Sequence, residues 1–168
     1  MNRKNFLHTT LTGLGSIAGY AIAPGSYPGS STEQLKQELV KEFVGAGHGN
    51  LDRVKELLSE FPNLLFSSYD WGNGDFEEAI EGAGHVGDYE IAEYLITQGA
   101  RVNLFVLTMM GQTHLVKPVL EKYPELLQAK GAHGFTLLHH AKAGGSRSEE
   151  LHAYLQEKGL DVTQISIK

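Results

Sequence analysis

Two segments of this chain, "VKELLSEFPNLL" from Val54 to Leu65 and "VKPVLEKYPELL" from Val116 to Leu127, write the same helix, aromatic–proline stop and leucine pair. A second duplication alternates with it: "EIAEYLITQGARV", Glu90 to Val102, against "ELHAYLQEKGLDV", Glu150 to Val162. One helix pair cannot bury its apolar face alone, so repeated pairs act as bricks that wall one another in. The alternation predicts an all-α stack of helix-turn-helix units over residues 33–168, of about four repeats.

Each unit is legible in its spacing. In the first, Leu35, Leu39, Val40, Phe43 and Val44 recur on one helical face, and Ser31 opens a capping box with Gln34. Leu51, Val54, Leu57 and Leu58 line its second helix, which Phe61-Pro62 ends because proline cannot extend the ladder. The second unit reads as a helix from Phe76 to about Gly84, capped by Asp75 with Glu78 reciprocal, then a turn at Gly87 and a helix from Tyr89 to Gln98. The third runs from Leu104 to Met110 and from Thr113 to Tyr123, with Pro118 expected to kink its outer helix. The fourth is "GFTLLHHAKAGGSRSEELHAYLQEKGLDV". Between the first two units, Asn73-Gly74 reads as a tight hairpin whose central residues tolerate positive φ, making Trp71 part of a projecting finger. The third unit comes too soon after the second to have a finger of its own.

Over roughly residues 35–162 the chain resembles the ankyrin-repeat family. The Thr-Pro-Leu-His box stands as Thr136-Leu137-Leu138-His139, with Leu for Pro. The turn and outer-helix pattern stands as Gly49-Asn50-Leu51-Asp52-Arg53-Val54-Lys55-Glu56-Leu57-Leu58, and the unit ending as Gly99-Ala100-Arg101-Val102-Asn103. The resemblance implies an ankyrin-type repeat stack with short hairpin fingers, and a non-catalytic module that grips a protein partner through its concave face and finger tips. Matching positions are Tyr69, Trp71 and Asn73 on the first finger, Phe105 and Met109 on the third inner helix, and His133 and Phe135 on the last finger. It also implies that His139 ties one unit to the next by hydrogen bonds.

A net charge of −6 excludes a clustered basic face for nucleic acid. No cysteine is present, which removes disulfides, thiol nucleophiles and thiolate zinc sites. The acids Asp70, Asp75, Glu77, Glu78 and Glu81 surround the first finger, so the partner expected is a protein with a basic patch, met by a monomer. The opening Arg3-Lys4-Asn5-Phe6-Leu7, with an apolar run after it to Ala23, resembles a twin-arginine export signal with Lys at the second basic position. Residues 1–23 are therefore read as an export signal and 24–32 as a linker. This places the protein in the periplasm or envelope, with the cytoplasm as alternative. The run is too short to make a stable membrane span.

Candidate chemistry in the sequence is thin. His48 and His85 sit in a repeated "GAGH", yet no His-x-x-x-His, cysteine or adjoining acidic motif supplies partner ligands. "DWGNGD" lacks the alternating acids of a calcium loop. His139-His140 has no visible acid–base partner. The expectation is no catalytic residue, no cofactor and no metal. Two alternatives remain: an envelope chaperone-like or accessory protein for an exported enzyme, and a metal-dependent hydrolase.

Overall fold

A computed structural model describes residues 34–167; the export segment 1–23, the linker 24–32 and the capping Ser31 lie outside the described residues. Among the described residues the chain is mainly helical, with eight α-helices and one two-stranded sheet. They run in the order α1 (Gln37–Ala46), α2 (Leu51–Glu60), β1 (Ser68–Asp70), β2 (Phe76–Glu78), α3 (Ala79–Val86) and α4 (Tyr89–Thr97). Then come α5 (Leu104–Met109), α6 (Thr113–Lys122), α7 (Leu137–Ala143) and α8 (Glu149–Glu157). Both aromatic–proline stops behave alike: a 3-10 turn starts at the proline, Pro62–Phe66 and Pro124–Gln128. Side-chain caps start several helices, since Asn50, Asp88 and Asn103 each accept from the backbone N–H three residues on.

The odd-numbered helices pack in chain order, α1 on α3, α3 on α5 and α5 on α7, while α2 meets α4 and α6 meets α8 on the other side. Phe43, Val44, Val54, Leu57, Ala83, Ile91 and Leu95 build one core, and Val116, Leu120, Leu137, Leu151 and Leu155 a second. α7 also touches α3, past α5. His139 on α7 makes this contact, its Nε2 donating to the carbonyl of His85 on α3 at 2.9 Å. Two glycines permit these approaches. Gly87 (φ +79°) would drive a Cβ into the carbonyl of Ala143, and Gly111 (φ +72°) into that of Arg147.

The hairpin forms as its dipeptide demands. Ser68 pairs with Glu78, Tyr69 with Glu77 and Asp70 with Phe76, and the turn holds Asn73 at φ 58° and Gly74 at φ 79°. The start of α3 differs from expectation by three residues. Residues 76–78 are strand, and α3 is capped by Glu78 with Glu81 reciprocal, in place of Asp75 with Glu78. The β pleat alternates side chains, so Phe76 faces out and Glu77 faces in, at 59% and 0% exposure. At Pro118 α6 runs on to Lys122 without ending. No helix among the described residues is long and apolar enough to cross a membrane.

Leu57 is 1% exposed at the α2 contact with its neighbours. Leu57→Ala is expected to cost about 2–5 kcal/mol. Urea unfolding monitored by far-UV circular dichroism checks it, and a near-neutral result contradicts this burial.

Candidate functional site

Glu77 determines the site. Its carboxylate is fully buried beneath the finger, and three imidazoles close around it from three other elements. His48 comes from the turn after α1, His85 from the last turn of α3, and His133 from the 3-10 turn ahead of α7. Glu77 Oε1 lies 3.4 Å from His48 Nε2 and 3.2 Å from His85 Nδ1; Oε2 lies 3.5 Å from His133 Nε2. The rings themselves crowd together, with the centroids of His48 and His85 4.7 Å apart and those of His85 and His133 5.2 Å apart.

A second set of groups fixes the first. Trp71 Nε1 donates to Glu77 Oε2 at 2.7 Å, and its ring packs edge-on against Tyr69. Asp75 holds His133 twice, accepting from its backbone N–H and from Nδ1, each at 2.7 Å. That grip supports the left-handed backbone of His133 (φ 58°), an uncommon conformation for a residue with a side chain. His48 Nδ1 donates to the carbonyl of Val44 at 3.1 Å. Beside the cluster lies a cleft of about 490 Å³, lined by Trp71, Asp75 and His133 on one side and by Gln164, Ser166 and Ile167 on the other.

Burial alone would push the Glu77 carboxyl up, but the adjoining His48 and His85 rings override it and carry it down to about 2. His48 moves the other way, up from its ordinary value, chiefly through its pairing with Glu77. Burial instead lowers His139, and pushes His140 down to about 4. His140 is thus a neutral core ring at pH 7, its Nδ1 donating to the carbonyl of Thr136 at 2.8 Å and its face against Phe105.

The residues singled out by sequence separate into three groups. Trp71 and His133 belong to the cluster, and Tyr69 supports Trp71. Phe135 stacks on His139 at 3.9 Å, Phe105 covers Gly131, and Asn73 is exposed at the finger tip. Met109 is 1% exposed and offers no surface, because α5 turns that side chain into the first core. The acids expected to form a negative patch are mostly engaged internally. Glu77 is buried, Asp75 holds His133, Glu78 pairs with Arg101 at 2.6 Å, and Glu81 accepts from Glu78 N and Asn103. For His48 and His85 the sequence displays no partner ligands; the fold supplies two, Glu77 and His133.

No protein-family model matches the chain, and no curated protein sequence matches it.

His140 gives the fold a pH dependence of defined sign. Unfolded, it takes up a proton near pH 6.5, whereas folded it does so only near 4. Between those values the unfolded chain binds more protons, so this contribution is intact above 6.5 and is lost as pH falls towards 4. Going from pH 7 to 5 should remove about 2 kcal/mol. His140→Asn, which keeps a donor for Thr136, should lose correspondingly less over that interval in urea melts at the two pH values.

Proposed function

We propose that this chain is an ankyrin-type repeat stack acting as a non-catalytic, monomeric module that grips a protein partner through its first finger and the grooves beside it. The observation that carries this reading is the concentration of exposed aromatic surface there. Phe66, Trp71 and Phe76 are 53%, 37% and 59% exposed, and all three lie on the hairpin or just before it. Large aromatics anchor protein interfaces because they bury much area at low entropic cost. Two grooves adjoin the finger: the cleft at Trp71 and His133, and another of about 310 Å³ lined by Phe76, Phe105, Lys130 and Ile167.

The ordered packing of α1, α3, α5 and α7, and the capping of α7 by Thr136, support the repeat reading. The basic-patch expectation loses its ground with the acids engaged internally, so the partner inferred offers an apolar side chain to Phe76 and Trp71. Export through Arg3, Lys4, Phe6 and Leu7 is part of the proposal, on the resemblance of that segment to a twin-arginine signal. Deleting residues 1–23 should hold the protein in the cytoplasmic fraction if that segment directs export.

A photo-crosslinking residue at Phe76 is expected to capture a discrete protein in cells, while the same residue at the exposed Val119 on α6 captures none. With the captured protein purified, Phe76→Ala should weaken binding by at least about tenfold, the size of a modest interface anchor. Equal affinity for variant and parent would remove the finger from the interface.

A further inference from the structure

We infer that His48, Glu77, His85 and His133 form a binding site for a divalent first-row metal ion, with zinc the best match, that staples the first, second and fourth units together. Four observations converge on it.

The first is spacing. Zinc bound by imidazole and carboxylate at about 2.0–2.1 Å in a tetrahedron separates its ligand atoms by about 3.3–3.4 Å. Glu77 Oε1 stands at 3.4 Å from His48 Nε2 and 3.2 Å from His85 Nδ1, close to that edge, while His133 Nε2 approaches the other oxygen of the same carboxylate at 3.5 Å, and one donor atom from each of the four residues can be chosen so that all lie within 4.8 Å of one another.

The second is direction. Despite that proximity, Glu77 Oε1 and His85 Nδ1 are buried and make no hydrogen bond among the described residues. The 3.2 Å gap between the two atoms is not closed by an aligned hydrogen bond, which leaves both free to ligate a common ion. A buried carboxylate oxygen left without a hydrogen bond is costly unless a cation meets it.

The third is tautomer. His48 commits its Nδ1–H to the carbonyl of Val44, and His133 commits its Nδ1–H to Asp75. With a metal ion in place of the second ring proton, each then presents an unprotonated Nε2 towards the centre, which is the form that ligates. A carboxylate or backbone carbonyl behind a ligating histidine is the usual outer partner at metal sites. Trp71 plays the equivalent part for the carboxylate, occupying Oε2 and leaving Oε1.

The fourth is ligand type. Three imidazoles and one carboxylate suit zinc, and a chain without cysteine offers no softer competitor. Four protein ligands complete a tetrahedron, so no position remains for a reacting water. The site is structural, which is compatible with a binding module.

The test uses the full-length chain, stripped of metal by chelator and then titrated. Zinc in isothermal titration calorimetry should bind one ion per chain and raise the melting temperature with the logarithm of its concentration above the dissociation constant. Cobalt(II) should give the intense visible bands of a tetrahedral N/O site and quench the fluorescence of Trp71, the only tryptophan. His48→Ala and His133→Ala change half-buried rings, and circular dichroism establishes that they fold; both should abolish the cobalt bands. Asp75→Asn, which alters only the group behind His133, should weaken binding by about 10–100-fold, while the exposed His114→Ala should leave it unchanged. Octahedral cobalt spectra, no calorimetric signal with zinc, or full binding by the His48 and His133 variants would each overturn the assignment.

Discussion

A carboxylate with no exposure in a helical protein must be compensated, and the compensation of Glu77 organises the elements around it. Charge buried without partners is prohibitively unfavourable, so the imidazoles that surround it are required by the same burial that created the need. They arrive from sequence-distant places: the turn after α1, the last turn of α3 and the 3-10 turn ahead of α7. Trp71 and Asp75 then set the orientation of what surrounds the carboxylate. Remove Glu77 and these groups have no common purpose.

The convergence depends on a contact between helices distant in the chain. α7 reaches α3 past α5, a short helix that begins directly at its cap Asn103. The turn ahead of α7 thereby lies with His133 against Glu77 and Asp75, and His139 lies against the backbone of His85.

Most of the helical framework was legible because it is local. Periodic leucines, caps such as Asn50 and Asp88, the two aromatic–proline stops and the Asn73-Gly74 turn each act within a few residues, so the sequence displays them directly. The site was not legible, for two physical reasons. Reading Asp75 as a helix cap places Glu77 in a first helical turn, where acids are ordinary; a strand there, with its twofold alternation, sends that side chain inward. The second reason is distance along the chain, since a contact between Asp75 and His133 leaves no trace in periodicity. The repeated "GAGH" did carry a signal, for its two histidines lie side by side in the fold. Only the partners that give them meaning were missing. Met109 erred in the opposite direction, because the pattern that placed it on an inner helix does not say which side of a short helix faces the core.

Residues 162–165 carry a consequence of their own. They run beside the turn ahead of α7, where Thr136 N donates to Thr163 O, Ile165 N donates to Gly134 O, and the Thr136 hydroxyl donates to Val162 O. These bonds clamp the backbone immediately after His133, so loosening a segment far along the chain would be felt at the buried carboxylate that this histidine faces.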